Sequence, residues 1–468
     1  MNIIYAISYS NEEIIINHKP SLVQLRIPWV ARAVKDELRA GSNAPARAVV
    51  KMGLQEAWGV RDLRRFLIGN AISVVGRSAF LTAAGWHVNE LGGPIWFAWF
   101  GIAYFATHLP LLTIGGMLVD RIPRRTVALY VDFVQAGFAL VFIIMLTADL
   151  PDLEVLIFAA AMMGASTAFS IPAIQALVPD LVDEETLASA TGLQNSTRTI
   201  SWSIGGLTGG AVITYSIIEV ALFIDMITFL VSAYVLFNIE EVPIVRDEEG
   251  DSDFKEEMVH ALAFTRSQPW LFVGILAFMA FHVGGAIVDV GIPTITLENG
   301  WSGLYYGIWG ATFPIGAAVG ALYAGSNPFP KGSRGTVFYV TVSFAAWLDL
   351  LFAFVPWFVL ILVITLVQGV MVGVLGVIWN TTIGDSVEQH LRGRVNSIDA
   401  IGSFILIPPS MLLGGKMIED LGIEAAFIVA VSIMVAATII GIVVPSFRRF
   451  ERIATERFPI TADQSQSD

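Results

Sequence analysis

Gly115-Gly116-Met-Leu-Val-Asp120-Arg121-Ile-Pro-Arg124-Arg125 is a short charged segment caught between two long apolar blocks, 95–117 and 126–147. About twenty apolar residues form a helix of about 30 Å, the thickness of a bilayer's hydrocarbon core, with every backbone N–H and C=O satisfied inside the segment. Small Gly116 lets two helices approach, and Asp120 can pair with a helix N-terminus or a neighbouring arginine. Arg121, Arg124 and Arg125 hold the loop on the cytoplasmic side. The stretch reads as a tight turn between two membrane spans.

Working outward, apolar blocks of the same size recur along the chain. They predict spans near 67–88, 95–117, 126–147, 153–176, 188–214, 218–238, 270–292, 303–325, 335–354, 357–380, 393–416 and 423–445. The composition agrees, with 55% hydrophobic and 14% charged residues and a mean hydropathy of +0.70. One set of loops collects Arg61, Arg64, Arg65, Arg121, Arg124, Arg125, Lys255, Arg266, Lys331, Arg334, Arg392, Arg394, Arg448, Arg449 and Arg452. The opposite loops carry Asn89, Glu90, Asp149, Asp152, Glu154, Glu219, Glu298, Glu419 and Glu424, with Lys416 the one nearby cation. Positive charge marks the cytoplasmic side, so both termini are expected there, in the cell membrane, and the span number must be even.

The net charge of −13 comes partly from one stretch, Glu240 to Glu257, which contains Asp247, Glu248, Glu249, Asp251, Asp253 and Glu256. It reads as a solvated linker and gives the expected organisation: a cytoplasmic extension over 1–60, a six-helix half over 61–239, the acidic linker over 240–266, a second half over 267–446 and a tail over 447–468. The extension lacks the ordered regions of a secretory signal, and Met52 is an alternative start for the chain. No cysteine is present and the six histidines are scattered, which excludes thiolate chemistry and Cys-ligated zinc. Neither an H-E-x-x-H run nor a G-x-x-x-x-G-K-[ST] loop occurs, so no metalloprotease site, ATP motor, metal or cofactor is expected.

The two halves resemble each other. Leu187 opens a span that closes on Gly209-Gly210 and Leu391 one that closes on Gly414-Gly415, and Asp180 and Asp385 keep a similar offset. Such weak internal symmetry is the mark of two transporter halves with a site near the midplane between them. The segment 115–125, with glycine, Asp-Arg and two further basic residues between the second and third spans, resembles the signature of the major facilitator superfamily. Pro172-Ala-Ile-Gln-Ala-Leu-Val-Pro179 and Arg392-Gly-Arg394-Val-Asn396-Ser resemble the efflux-type branch that includes enterobactin and macrolide exporters. Ser201-Trp-Ser-Ile-Gly205-Gly206-Leu-Thr-Gly209-Gly210 is similar to the antiporter motif of exporters, with Gly206 where proline is expected; the same glycines serve equally well for close helix packing. The second-half loop, Gly325 to Arg334, lacks the Asp-Arg core.

This resemblance implies twelve helices in two pseudo-symmetric halves and a secondary transporter that moves a small solute by alternating access, coupled to protons. Export is the expected direction; an uptake symporter and a non-transporting sensor or anchor on the same fold are the alternatives. A monomer in the lipid bilayer, with no nucleic-acid partner, is expected.

Ionisable residues within a span cost about 2.5–3.5 kcal/mol at the helix centre, so each needs a partner, water or a function. They are Arg77, Asp132, Arg198, Asp225, Asp289, Asp349 and Asp399, with His87, His108 and His282. Arg77 and Arg198 fall about 15 Å deep and suggest an anionic or catechol-like solute bound between them, with Gln175, Trp379 and Asn380 alongside. Asp289 and His282 share a helix face, and a desolvated Asp289 suits a proton carrier, or else a fixed partner of Arg77 or Arg198. Asp132 and Asp399 lie nearer the cytoplasmic mouth, where pairing with Arg121 or Arg394 would lock an inner gate. Asp225 and Asp349 are reserves, and His87 and His108 read as interfacial.

Overall fold

A 59-residue helix, α1 (Arg61–Val119), opens the membrane region of the computed structural model. At about 1.5 Å per residue it would run about 88 Å, nearly three hydrocarbon cores, so it cannot be one span. It breaks at Gly93, whose φ of 76° and ψ of −173° leave the helical region. Glycine reaches that conformation without steric cost, and Pro94 next to it withholds a backbone N–H from the helix ladder. The two limbs are the first and second expected spans.

The structure describes residues 7–10, 13–16, 55–119, 121–241, 254–327, 329–444 and 450. Asp120, Met52, Arg448, Arg449, Arg452 and most of the acidic stretch lie outside them. After α1 come α2 (Arg124–Thr147), α3 (Asp152–Leu181), α4 (Glu184–Tyr215), α5 (Ile218–Phe237), the short α6 (Phe254–Ser267) and α7 (Pro269–Glu298). Then follow α8 (Gly303–Ser326), α9 (Arg334–Phe352), α10 (Phe358–Ser386), α11 (Gln389–Phe404), α12 (Ile407–Leu421) and α13 (Ile423–Val443). Among the described residues, ten helical stretches are long and apolar enough to cross a membrane, with α11 and α12 joined as one. Counting α1 twice and adding the more polar α4 gives twelve. The break between α11 and α12, at Ile405-Leu406 ahead of Pro408-Pro409, divides a span expected to be continuous.

The chain divides into two compact units, residues 1–64 with 178–194 and residues 65–177 with 195–468. Described in the first are a two-stranded antiparallel hairpin, β1 (Ile7–Ser10) with β2 (Glu13–Ile16), whose register pairs Ile7 with Ile16, and the ends of helices that continue into the second. Among the described residues, three large buried clusters organise the second unit. Phe80, Phe100, Phe142, Leu156 and Leu222 knit α1, α2, α3 and α5 together. Trp270, Phe338, Tyr339 and Trp379 do the same for α7, α9 and α10. A third cluster, with Phe97, Ala98, Ile287, Trp309 and Phe427, joins the second limb of α1 to the later helices. Leu140, Ile144, Val319, Leu322 and Val359 are exposed, as lipid-facing side chains should be.

Candidate substrate and coupling site

The loops define two ends, a basic one at Arg121–Arg125 and an acidic one at Asp149 and Glu298, and among the described residues the halves meet at the acidic end. There α4 crosses α8 on glycines: a Cβ on Gly210 would stand 2.5 Å from the Gly303 carbonyl oxygen, and one on Gly307 2.5 Å from that of Gly206. The Leu304 amide donates to Thr214 Oγ1 at 2.7 Å. A second crossing brings Gly415 of α12 against Pro94 and Ile95. Between them Trp86 packs on Tyr306, ring centroids 5.8 Å apart, and Thr294 Oγ1 donates to Asn89 Oδ1 at 3.1 Å. Small residues at such crossings let backbones touch, which is how helices associate where lipid offers no hydrophobic driving force.

The glycine motif in α4 divides its work. Gly205 and Gly209 lie against Val75, Ser78 and Ala79 of α1, while Gly210 meets α8. Ser78 Oγ fixes the first contact by donating to the Trp202 carbonyl at 2.7 Å. In the charged loop Gly116 faces open space, and Gly115 makes the close approach instead, onto Ala168 and Phe169. Arg125 caps the end of α5, donating from Nε to the Leu236 carbonyl at 2.7 Å and from Nη2 to that of Phe237 at 2.6 Å. It also pairs with Glu241 at 3.1 Å, and Thr126 donates to the same carboxylate. Those carbonyls are the negative end of the α5 dipole, so a guanidinium there satisfies both charge and hydrogen bonding. Arg334 donates to the Phe329 carbonyl and pairs with Asp385 at 2.7 Å.

The intramembrane charges are distributed differently from expectation. Arg77 is buried beneath Phe229, its guanidinium 5.5 Å from the ring centroid, and lies within electrostatic range of Asp225, Asp132, Tyr104 and His108. Arg198 is exposed, as are Gln175, Asn380 and Asp289. The two arginines therefore do not present one common surface. Trp379 is also withdrawn, stacked on Phe338 and donating from Nε1 to Asp399 Oδ2 at 2.8 Å. His282 stacks edge-on against Phe404 and its Nδ1 contacts its own helix at the Phe278 carbonyl, 2.8 Å away. Asp289 keeps the same helix face but neighbours Tyr306 and Asp349, beside the closed end.

Neither gate carboxylate holds a loop arginine among the described residues. Asp399 accepts from Trp379 and Ser403, and Asp132, 4% exposed, sits beside Ser232 in the interior. Both acids fall one to two turns too deep for the loop, within apolar helix packing. Asp349 accepts a short hydrogen bond from Gln368 Nε2. His87 pairs with Asp152 at 2.9 Å at the acidic end, and His108 approaches the Gly164 carbonyl at 3.3 Å. Sequence reasoning missed Tyr306, Asn89, Thr294 and Gln135; the signal for the last was a second polar residue one turn beyond Asp132.

Comparison with known proteins places this arrangement. Macrolide efflux protein A of Streptococcus pyogenes is 22% identical over 395 residues, covering 82% of this chain and 96% of the relative. Enterobactin exporter EntS of Shigella boydii serotype 18 is 25% identical over 375 residues, 76% of this chain and 84% of that one. Among solved structures, a bacterial homologue of the human lysosomal transporter Spinster, in an inward-facing and unoccupied conformation, superposes with a TM-score of 0.58 at 14% identity, over 83% of this chain and 95% of that one. The model of the Major Facilitator Superfamily matches residues 66–348, and this multi-pass membrane protein belongs to that family of transporters, not to the enzymes.

Proposed function

We propose that the protein is a proton-coupled exporter of a small organic solute, working by alternating access in the cell membrane with both termini in the cytoplasm. The observation that carries the reading is the location of the contacts between halves described above, which run from the acidic end to about mid-membrane. With the basic loops in the cytoplasm, the molecule stands in the state that receives solute from the cell. Arg198, Gln175, Asn380 and Asp289, exposed at membrane depth, line the opening, since a charged side chain turned to lipid would be costly. The efflux relatives support the direction.

Alternation needs the acidic-end crossings to part and a basic-end seal to form, with a ligand or proton shifting the balance between the two states. A macrolide or a catechol-type chelator is the solute class to try first, from the relatives' names. The test is a growth-inhibition panel of antibiotics and siderophores with and without the gene, followed by flux in proteoliposomes under an imposed pH gradient. Gene loss should raise sensitivity or cell content for at least one compound. Lower accumulation on gene loss would instead establish uptake, and no flux across the panel would sink the transport reading in favour of a sensor or anchor.

A further inference from the structure

Inside the first half, away from the opening between halves, α1, α2, α3 and α5 line a partly open cavity bounded by Phe80, Gln135, Phe138, Ser166, Met163 and Asp225, among others, with room for one water molecule. Asp225 is 2% exposed and Gln135 5%. Oδ1 of Asp225 and both amide atoms of Gln135 find no hydrogen-bond partner in the protein, and neither does Oδ2 of Asp132, one turn from Gln135 on the same helix. A buried amide with neither atom partnered is unfavourable, and one water bridges two of the unpartnered groups: it accepts from Nε2 of Gln135 and donates to Oδ1 of Asp225.

The surrounding charges set what else is held there. Facing Asp225 are Arg77 from α1 and Asp132 from α2; α3 offers Ser166 and no titratable group to the cavity, and Tyr104 and His108 face Arg77 from the second limb of α1. One guanidinium against two carboxylates leaves one negative charge in the membrane interior, which one added cation removes. A hard metal cation takes about six oxygens, and the lining supplies oxygen from only Asp225, Gln135 and Ser166. We infer that this cavity is a proton-loading site, in which a bound water links Gln135 to Asp225 and the Asp225 carboxyl carries the coupling proton in place of Asp289.

The geometry also supplies the transmission. Gly76 lies directly on the backbone of Asp225 and on Thr228, so α1 has no slack against α5 at this level. The same limb of α1 carries Trp86 and Asn89, which close the acidic end on Tyr306 and Thr294. A proton taken up by Asp225 removes one of the two carboxylate charges that act on Arg77, and the helix bearing Arg77 is the helix that must move for the closed end to part. Asp225 stands seven residues into α5, about 10 Å from its acidic end, and Asp132 eight residues into α2, about 12 Å from its basic end. Asp225 therefore lies on the acidic-end side of the membrane and Asp132 on the basic-end side, with Gln135 one turn beyond Asp132.

This inference rests on the proton-coupled reading above, and the experiment separates the two. Wild type and the D225N, D289N and Q135L variants are reconstituted, and solute movement is followed both under an imposed pH gradient and as gradient-free exchange. Asp225→Asn should lower uphill, gradient-driven flux about tenfold or more while exchange is kept, because the binding face is untouched and only the bias between states is lost. Gln135→Leu should shift the pH dependence of the driven rate, and Asp289→Asn, on the face that lines the opening, should change driven flux and exchange alike so that their ratio is kept. Gradient-driven flux at the wild-type rate in D225N overturns the proton site; no response to the gradient in wild type overturns the parent reading instead. Should D225N fail to insert, infrared titration of wild type decides: a protonated-carboxyl band that shifts in Q135L supports the site, and its absence at every pH overturns it.

Discussion

The two halves answer the same electrostatic problem in different ways. In the first, buried Asp132 and Asp225 share one arginine, Arg77, and keep unpartnered oxygens. In the second, buried Asp349 is satisfied by the amide of Gln368, a neutral partner. Their loops differ as well: Arg125 holds two helix-end carbonyls besides Glu241, whereas Arg334 holds one carbonyl besides the Asp385 carboxylate. A carboxyl bonded to an amide has one stable arrangement. A carboxylate pair sharing one cation has two, with and without a proton, and that is the property a coupled transporter needs.

The largest expected effect comes from deleting the shared cation. Arg77→Ala should lower stability by about 3–5 kcal/mol, the cost of leaving buried charge uncompensated, read as a fall in melting temperature in detergent. Adding Asp225→Asn should recover most of it; no recovery would mean that the arginine serves packing on Phe229 rather than charge. On the other side of the comparison, Gln368→Leu removes the donor to Asp349 and should cost about 1–3 kcal/mol without altering proton dependence. A change in the pH profile of that variant would make Asp349, and not the first half, the responsive acid.

The loops give a finer contrast. Arg125→Ala should cost about 1–2 kcal/mol through lost charge-assisted bonds to the end of α5, and Arg125→Lys should restore only part, since one ammonium cannot reproduce the fork. Equal behaviour of the lysine variant would reduce Arg125 to a point charge. Smallest is His87→Gln, where the pair with Asp152 is half exposed and worth about 0–1 kcal/mol. A larger loss in thermal melts would make this contact part of the acidic-end closure.

What could be read in the amino-acid order was whatever repeats locally. Blocks of apolar residues placed the helices because the bilayer sets their length, and even polar α4 was found between its flanking loops. The break at Gly93 falls in the gap between the expected spans 67–88 and 95–117, where Gly93 and Pro94 supply its chemistry. The pairing of charges was not, because it depends on which helix faces which. Arg77 comes within electrostatic range of Asp225 across about 150 residues of chain since Gly76 admits the α5 backbone, and nothing in the spacing of Arg77 and Arg198 reveals that one is buried and the other exposed. Helical periodicity kept His282 and Asp289 on one face, yet Phe404 occupies the histidine from another helix.

The break at Gly93 also bears on how the protein is made. Its two limbs are joined by a turn rather than a loop, so they enter the bilayer as a helical hairpin, and neither can reverse its direction without the other. The basic clusters at Arg61–Arg65 and Arg121–Arg125 stand at the two far ends of that hairpin. Both retain it on the same side, so the topology of the first two spans is set twice over during synthesis, before any later helix is available to correct it.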